Sequence, residues 1–387
     1  MSFIFATGIE NSIPLIKNGS HRVDQYETCG HYRHWKTDFD LLADIGIEHL
    51  RYGCPLHTTW LGPDRYDWNF ADEKFNELKR RGITPIMDLC HFGLPDWLGD
   101  FQNPEFPALF ADYARAFATR FPWVEHYTPV NEMLIAATFS ARNGWWNEQK
   151  ADDKSFVTAI INLCKANRMA MDAILEIRPD AQFIQAESIE YASPDSFAAW
   201  DAAKLKNSLR FVTLDLTYQR PVNSLVYQFL LDNGMSKDEY NWFYDRPNAK
   251  KNCTIGLDYY ITSEHYINPE GHLRGSGDVL GLSEVTRQYH TRYNLPVMHT
   301  ETNMNHDHGD AVAWLHRQWS NVVHLMCTGV PVTGFTWYSL GHQVDWCTAM
   351  RETNLRVNAV GLYDLDRKIM PVGEAYRDLI RDFSQRY

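Results

Sequence analysis

The sequence lacks the features that mark membrane-spanning, multi-domain and nucleic-acid-binding chains. No run of about 20 apolar residues is present, which excludes a transmembrane helix of ordinary length. No stretch rich in Pro, Gly or Ser, or biased in charge, separates two domains within the 387 residues. The net charge of −12 comes without a basic run, so neither nucleic acid nor an anionic membrane is an expected partner. We therefore predict one soluble domain over residues 1–387.

The sequence also lacks a disulfide framework and a secretion signal. Its seven cysteines are an odd number without close paired spacing. The first segment, MSFIFATGIE, has neither a cationic region nor a small-residue cleavage site, and it enters an apolar alternating pattern at once. We therefore expect a cytoplasmic protein.

Metal-capable side chains occur close together in two places, but neither has the spacing of a metal site. In MNHDHGD a solvated helix N-terminus is favoured over a metal site for His306, Asp307, His308 and Asp310. The second group is expected in the first βα loop, where a histidine could contact substrate; it comprises Cys29, His31 and His34. We predict neither a metal nor a cofactor.

Short apolar runs rich in β-branched and aromatic residues alternate with longer amphipathic segments along the chain. Eight such runs predict strands, at residues 3–9, 48–54, 84–91, 126–132, 182–188, 255–261, 296–302 and 334–340. Helices are predicted near residues 35–45, 71–82, 105–120, 155–177, 282–293, 310–328 and 371–386. Repeated βα units of this kind predict an α/β fold, a single (β/α)8 TIM barrel with elaborated βα loops. The alternative, an open doubly wound sheet, normally carries a Gly-rich phosphate loop after the first strand, and TGIENS is not one.

Residues 190–252 are the least regular part of the sequence, with the turn-rich stretches SPDS, YQRPVNS and YDRPNAKKN. We expect this segment to form an elaborated βα loop over the mouth of the barrel. Loops of this kind carry selectivity for substrate.

Two glutamates close apolar strand-like runs about 170 residues apart in the sequence. Glu132 ends the fourth run in HYTPVNEM, and Glu301 ends the seventh in PVMHTETN. A (β/α)8 barrel collects its catalytic groups at the C-terminal ends of its strands. Retaining glycosidases need one carboxylic acid and one nucleophilic carboxylate, roughly 5–5.5 Å apart. Each glutamate alone could also be an ordinary strand-end residue.

Other polar residues in these runs suit the same chemistry. Arg51 lies inside the second apolar strand, where a cation needs a carboxylate partner. Asp258 and Tyr260 are two residues apart and share one face of the sixth strand. An arginine and a tyrosine hydroxyl beside Glu301 would keep it ionised as a nucleophile. The charge on Glu301 would in turn raise the pKa of Glu132 and hold it protonated.

Several side chains near the predicted strand ends could bind a sugar. Asn131 could donate to a hydroxyl, and so could His91, although a lone histidine is more often structural. Glu187 and Glu190 follow the fifth strand, and one of them could line the cleft. In RNGWWNE, adjacent tryptophans including Trp145 offer a stacking face for the leaving group, with one of the pair expected to pack the loop onto the barrel.

These segments resemble glycoside hydrolase family 1, the β-glucosidase-like enzymes, and they follow the family order along nearly the whole chain. GIEHLRYGCP resembles the second-strand arginine segment, and RRGITPIMDLCHFGLPDWL resembles "GI.P..TL.HWDLP..L". YTPVNEM is similar to the "T.NEP" motif, IGLDYYITS to "IGINYYTS", and PVMHTETN to "PI.ITENG". GFTWYSLGHQVDWCTAM is similar to "GYF.WSL.DNFEW..GY". The chain is shorter than most members, which suggests a divergent branch or a sister family of the same clan.

The resemblance implies roles for individual residues. Glu132 would be the acid/base, Glu301 the nucleophile, and Arg51 and Tyr260 their catalytic partners. Substrate-binding positions would be Glu10, His91, Asn131, Trp337, Asp345 and Trp346, with Trp145 added from the tryptophan pair above. Among these, Glu10 replaces the family's first-strand Gln and Asp345 replaces its Glu. Such changes predict a shifted preference for the sugar.

The expected function is that of a retaining exo-β-glycosidase, of the β-glucosidase, β-galactosidase or β-fucosidase kind. Its substrate would be a small-molecule or oligosaccharide β-glycoside, and it would need no cofactor. One alternative is a transglycosidase with the same machinery. The other is a carbohydrate-binding barrel without activity, but such a protein usually loses a catalytic carboxylate or its supporting Arg or Tyr.

Overall fold

The computed structural model describes residues 3–247, 249–305 and 309–385. Eight parallel strands close into one barrel, with each strand beside its sequence neighbours and the eighth beside the first. In chain order they are β1 Ile4–Gly8, β2 His49–Gly53, β3 Thr84–Cys90, β4 His126–Val130, β5 Gln182–Ser188, β6 Cys253–Asp258, β7 Val297–Glu301 and β8 Val332–Trp337. The predicted (β/α)8 barrel is confirmed.

The strands form because nearly every residue in them is covered on both faces. A small cluster joins Ile4 and Ala6 of β1 with Ile86 of β3, Ile184 of β5 and Met298 of β7. All five come from alternate strands, which is the layering that fills the interior of (β/α)8 barrels.

The intervening side chains of a strand face the outer helices, as the two-residue period of a strand requires. Phe5 lies between the two residues of β1 named above, and its ring centroid is 5.5 Å from that of Trp319 and 5.3 Å from that of Phe383. The main core therefore lies between the strands and the ring of helices.

Helices surround the barrel and cross its C-terminal face. They are α1 Gln25–Thr28, α2 His31–Asp44, α3 Leu56–Thr59, α4 Asn69–Arg81, α5 Phe106–Arg120, α6 Met133–Ala137, α7 Asp153–Ile177, α8 Trp200–Leu209, α9 Val212–Thr217, α10 Ser224–Asp232, α11 Lys237–Trp242, α12 Leu282–Tyr293, α13 Ala311–Cys327 and α14 Pro371–Ser384. A π-helical turn covers Thr138–Arg142, and 3-10 turns cover Phe197–Ala199 and Trp346–Thr348. Within the described ranges, no helix is long and apolar enough to cross a membrane.

Short strands outside the barrel build its loops. Hairpins pair Leu15–Ile16 with His21–Arg22, Trp60–Gly62 with Arg65–Tyr66, and Gln343–Val344 with Val357–Asn358. A three-stranded sheet joins Tyr191–Pro194, Glu264–Ile267 and Leu273–Gly275.

The segment 190–252 lies between β5 and β6 and is mostly helical, since it contains α8 to α11. Turn-forming residues separate these helices, and the longest of them has 10 residues, so no long periodic pattern marks them in the sequence. At the C-terminal end of β5, the segment therefore adds four helices and one strand of the three-stranded sheet.

Two of the metal-capable side chains singled out in the sequence, Asp310 and His31, have structural partners. Asp310 caps α13, and its carboxylate accepts from the backbone N–H of Ala313 at 2.9 Å. His306, Asp307 and His308 lie outside the described residues. His31 does not line the main cavity, because its ring is buried between the Asp38 carboxylate at 2.7 Å and the Tyr52 hydroxyl at 2.8 Å.

Candidate active site

A cavity of about 1020 Å³ opens at the C-terminal face of the barrel. Residues that follow or end five different strands reach its wall, namely Glu10, His91, Glu132, Glu301 and Tyr338. This is the face on which (β/α)8 enzymes carry their chemistry. The cavity is therefore the candidate active site.

Glu301 is the last residue of β7, and it is 95 % buried, with an exposed fraction of 5 %. One carboxylate oxygen accepts from a guanidinium N–H of Arg51, and the other accepts from the hydroxyl of Tyr260 at 2.5 Å. Two donors on one carboxylate favour its ionised form. The structure thus brings together three of the residues that the sequence predicted as catalytic.

Arg51 is fully buried in β2 and is held by several acceptors. Its second terminal nitrogen lies 3.2 Å from Asp88 and donates to the side-chain oxygen of Asn131 at 2.7 Å. Burial acts to lower the pKa of Arg51, but the carboxylates of Asp88 and Glu301 raise it well above its ordinary value. A cation can lie this deep because two carboxylates compensate it.

Glu132 follows β4 and faces the same cavity. Its backbone is in the left-handed region, with φ of 42°, and its N–H donates to the carbonyl of Ala186 at 3.0 Å. Burial raises the pKa of Glu132 well above its ordinary value, and the charges of Asp258 and Glu301 add to this effect. A carboxyl kept protonated in this way can act as a general acid.

Two further carboxyls, those of Asp258 and Glu187, are buried in the strands that lead to the cavity. Asp258 accepts from the hydroxyl of Thr300 at 2.6 Å, and burial raises its pKa well above the ordinary value. Glu187 accepts from the N–H of Leu134 at 3.1 Å and from the Thr213 hydroxyl at 2.6 Å. Burial raises the pKa of Glu187 to about 8. Glu187 therefore holds the start of α6, on which Glu132 is the capping residue.

Glu187 lies inside β5, whereas Glu190 follows the strand and lines the cavity. It pairs with Lys206 of α8 at 2.6 Å. Burial opposes the ionisation of Glu190, but Lys206 holds its pKa below the ordinary value.

The wall formed after β1 and β8 carries hydrogen-bonding groups. The carboxylate of Glu10 accepts from the N–H of Ser12 at 2.9 Å and from the amide of Gln343 at 3.0 Å. Burial raises the pKa of Glu10. Trp346 also lines this wall.

His91 and Asn131 join this wall to the buried arginine. The Nδ1 atom of His91 lies 3.3 Å from Asp88, and its Nε2 atom lies 3.3 Å from the side-chain amide of Asn131. His91 lines the cavity, whereas Asn131 lies behind it, fully buried. The two side chains thus form one hydrogen-bonded group with Arg51.

Trp337 does not lie on the cavity wall, which corrects its prediction as a substrate-binding residue. It is fully buried, and its indole N–H donates to the carbonyl of Val360 at 2.8 Å. Tyr338 lines the cavity instead. Successive side chains at the end of a strand point to opposite sides. Of two adjacent residues, one therefore faces the cavity and the other faces the core.

Asp345 is also not at the predicted position against substrate. Its carboxylate accepts from the backbone N–H groups of Asn354 at 3.1 Å, Leu355 at 3.1 Å and Arg356 at 2.9 Å. These hydrogen bonds hold the loop that contains Asp345 and occupy both oxygens of its carboxylate. Gln343, two residues earlier, reaches the cavity instead.

The two tryptophans of RNGWWNE have different environments. Trp146 is fully buried, and its indole N–H donates to the carbonyl of Ala349 at 2.8 Å. Trp145 lines the cavity. One face of its ring is covered by the guanidinium of Arg351, 4.5 Å from the ring centroid.

Sequence reasoning missed Asp88, Gln343 and Tyr338. Asp88 interrupts the apolar run PIMDLC, and a buried charge there needs a partner of opposite charge just as Arg51 does. Tyr338 stands at the Trp of "WSL" when YSL is aligned with that motif. Gln343 carries no comparable signal. Within the part of the chain that is described, no group of three or more His, Cys, Asp and Glu side chains is arranged to hold a metal ion.

The barrel thus carries two buried carboxyls, Glu132 and Glu301, on one cavity at its C-terminal face. The family model described as glycosyl hydrolase family 1 matches residues 16–222, and the chain belongs to this family. Beta-glucosidase A of Thermotoga maritima is 26% identical over 250 residues, which cover 60% of this chain and 54% of that protein.

A second relative matches over a shorter length, and a solved structure shares the fold. A 6-phospho-beta-glucosidase of Escherichia coli is 25% identical over 169 residues, which are 41% of this chain and 36% of that protein. The matches thus span about half or less of the length of these curated relatives. The structure of a Thermotoga maritima beta-glucosidase in complex with deoxynojirimycin superposes with a TM-score of 0.83 at 20% identity and covers 98% of both chains. This likeness confirms the fold.

Proposed function

We propose that this protein is a retaining exo-β-glycosidase that hydrolyses β-glycosides through a covalent glycosyl-enzyme. The observation that carries the proposal is the difference between two carboxyls on one cavity. Glu301 is bound by two donors that favour its anion, whereas burial and neighbouring charges raise the pKa of Glu132. This division of roles is what a retaining mechanism requires.

In the first step, Glu132 gives its proton to the glycosidic oxygen while a carboxylate oxygen of Glu301 attacks the anomeric carbon. The bond between that carbon and the glycosidic oxygen breaks, and the leaving group departs as a neutral alcohol. Loss of the charge on Glu301 removes one cause of the raised pKa of Glu132. Glu132 is then better suited to act as a base.

In the second step, the Glu132 carboxylate takes a proton from water, and the water oxygen attacks the anomeric carbon. The ester bond to Glu301 breaks and its electron pair returns to the carboxylate. Two displacements at the same carbon restore the β-configuration. Arg51 and Tyr260 receive the returning charge on the oxygens that they already bind.

Other residues on the cavity wall, both predicted and newly found, are candidates for contact with the substrate. We assign Glu10, His91, Gln343 and Trp346 to the non-reducing sugar, because they line the wall reached from β1, β3 and β8. A carboxylate and a carboxamide side by side offer acceptors and donors to vicinal hydroxyls. Glucosides, galactosides and fucosides are the candidate substrates.

The intact catalytic set favours an enzyme over a binding protein without activity. Glu132, Glu301, Arg51 and Tyr260 are all present, and the last three are directly hydrogen-bonded. Transfer of the glycosyl group to another alcohol would use the same machinery. Analysis of the products distinguishes transfer from hydrolysis.

We also propose that the chain acts as a single domain in the cytoplasm. The support for the location is that none of its seven cysteines forms a disulfide, which is usual in a reducing compartment.

Azide rescue tests the two roles with a pair of variants. Nitrophenyl β-glucoside, β-galactoside and β-fucoside are incubated with Glu132→Ala and Glu301→Ala in the presence of azide. We expect a β-glycosyl azide from Glu132→Ala, since azide replaces water on the glycosyl-enzyme. We expect an α-glycosyl azide from Glu301→Ala, since azide replaces the nucleophile. Exchange of these outcomes, or full activity of either variant without azide, contradicts the assignment.

A further inference from the structure

Four buried polar side chains at the base of the cavity form a closed ring of hydrogen bonds. They are Arg51 of β2, Asp88 of β3, His91 after β3 and Asn131 after β4, and each has an exposed fraction of 5% or less. One guanidinium nitrogen of Arg51 donates to Asp88 at 3.2 Å and to Asn131 at 2.7 Å. The Asn131 amide lies 3.3 Å from Nε2 of His91, and Nδ1 of His91 lies 3.3 Å from Asp88.

The direction of each bond in this ring follows from Arg51, because a guanidinium only donates. The atom of Asn131 that Arg51 contacts must be the side-chain oxygen, and this fixes the orientation of the amide. The amide nitrogen of Asn131 also only donates. Nε2 of His91, which faces that nitrogen, must therefore accept with its lone pair.

The other ring nitrogen of His91 faces Asp88. Burial acts to raise the pKa of Asp88, but the charge of Arg51 holds it below its ordinary value, so Asp88 is a carboxylate and only accepts. Nδ1 of His91 must therefore carry the hydrogen. The imidazole is thus neutral, with its hydrogen on Nδ1 and its lone pair on Nε2.

The carboxylate at position 88 is a feature of this chain and not of the motif in which it lies. In "GI.P..TL.HWDLP..L", a threonine aligns with Asp88. A threonine hydroxyl either donates or accepts, so it leaves the hydrogen of the histidine undetermined. A carboxylate determines it.

We propose that Asp88 is a positioning residue of the active site, which holds His91 as the neutral form with its hydrogen on Nδ1. His91 lines the cavity, so it offers the sugar a lone pair and no N–H group. A sugar hydroxyl beside Nε2 must then donate, which reverses the donor role that the sequence suggested for His91. The sugar contact rests on the proposed function, whereas the position of the hydrogen does not.

Nitrogen-15 NMR of the histidine side chains measures the position of the hydrogen directly. A ring nitrogen that carries a hydrogen and one that does not have well-separated shifts, and couplings to the ring protons distinguish Nδ1 from Nε2. Wild type is measured at about pH 8, where ordinary histidines are neutral, and the His91 signals are those missing from His91→Gln. We expect a hydrogen on Nδ1 alone. A hydrogen on Nε2, or on both nitrogens, overturns the proposal.

Two variants assign this hydrogen position to Asp88. In Asp88→Asn the new amide oxygen is drawn to Arg51 and its N–H groups face Nδ1, so the hydrogen should move to Nε2. The double variant Asp88→Asn/Asn131→Asp keeps the number of carboxylates around Arg51 and reverses the ring. We expect it to carry the hydrogen on Nε2 and to unfold in urea closer to wild type than Asp88→Asn does. A hydrogen that stays on Nδ1 in both variants contradicts the role of Asp88.

Inhibition by the free sugar that the enzyme releases tests the effect on binding. Asp88→Asn should raise its inhibition constant by about 2- to 12-fold, which is the contribution of one hydrogen bond. The same change should have no effect in His91→Gln, because Asp88 acts on the sugar through His91. An equal rise with and without His91 contradicts the proposal.

Asp38 provides a matched control, since it also binds an arginine and a buried histidine. Its carboxylate accepts from Arg367 at 3.0 Å and lies 2.7 Å from Nδ1 of His31, and none of the three lines the main cavity. Asp38→Asn should make the protein unfold at lower urea and leave the inhibition constant unchanged. A rise equal to that of Asp88→Asn would show a merely structural effect and overturn the proposal.

The NMR measurement needs no turnover, so it separates failure of this inference from failure of the proposed function. If wild type cleaves no glycoside, the proposed function fails, yet a hydrogen on Nδ1 of His91 that moves in Asp88→Asn still supports the role of Asp88. If glycosides are cleaved while His91 carries its hydrogen on Nε2, this inference alone is wrong.

Discussion

Replacement of Tyr260 by phenylalanine removes one hydroxyl and leaves the rest of the site in place. That hydroxyl donates to Glu301, and Arg51 still binds the other oxygen of the same carboxylate. A hydrogen bond to a charged group is worth about 1.5–3 kcal/mol. If this difference appears in the step in which Glu301 attacks or leaves, kcat falls by about 10- to 150-fold.

The neighbouring tyrosine gives a matched control. The hydroxyl of Tyr259 also donates its one hydrogen to a carboxylate, with Glu264 at 2.7 Å and Asp278 at 3.0 Å, but Tyr259 does not line the cavity. Tyr259→Phe should therefore reduce the free energy of unfolding by a similar hydrogen-bond contribution and leave kcat within about twofold.

The assay measures kcat and kcat/KM for the best nitrophenyl β-glycoside between pH 4 and 9, together with urea unfolding of both variants. Equal losses of kcat in Tyr259→Phe and Tyr260→Phe, or an unaltered kcat in Tyr260→Phe, would refute the reasoning.

Three further predictions follow from the buried carboxyls. Glu10→Gln removes an acceptor beside Gln343 and should change the ratio of kcat/KM between glucoside, galactoside and fucoside several-fold, whereas an unchanged ratio would exclude Glu10 from sugar contact. The activity should fall as the pH rises through the raised pKa of Glu132. Glu301→Gln should lower the pKa of Glu132, because it removes one neighbouring negative charge. Carbon-13 NMR of labelled glutamate measures that pKa. Burial raises the pKa of Glu187 to about 8 in the folded chain, against an ordinary value of 4.5. Between these two pH values the folded state holds a proton that the unfolded state has lost. The free energy of unfolding should therefore fall as the pH rises from 4.5 to 8. Glu187→Gln should reduce that fall in urea unfolding at pH 5 and pH 8, and an identical pH dependence in both proteins would contradict the assignment.

The barrel was predictable because its strands carry a strong local signal. Each is a short, buried run with β-branched or aromatic residues, and the helices between them have amphipathic patterns long enough to recognise. Arg51 was recognisable as a site residue because a cation inside an apolar strand has few explanations. The helices α8 to α11 were not predicted, because they are short and separated by turns.

The predictions for Trp337 and Asp345 were wrong for different physical reasons. Trp337 and Tyr338 are adjacent at a strand end, and a single step along the chain reverses the side on which a side chain lies. Asp345 forms its hydrogen bonds with backbone groups 9 to 11 residues later, which depends on the loop conformation and not on residue type. The pairing of Glu10 with Gln343 joins residues 333 positions apart and could be seen only in the folded chain.

The central claim is that Glu301 forms a covalent bond with the sugar. Wild type is treated with dinitrophenyl 2-deoxy-2-fluoro-β-glucoside and with the matching galactoside, digested with trypsin and mapped by mass spectrometry. Glu301 is the only glutamate in the tryptic peptide of residues 293–317, and Glu132 lies in that of residues 121–142. The account predicts one fluoroglycosyl group on Glu301 and no label in Glu301→Gln. Label on the peptide of residues 121–142, or hydrolysis of the probe with inversion and no label, would contradict it.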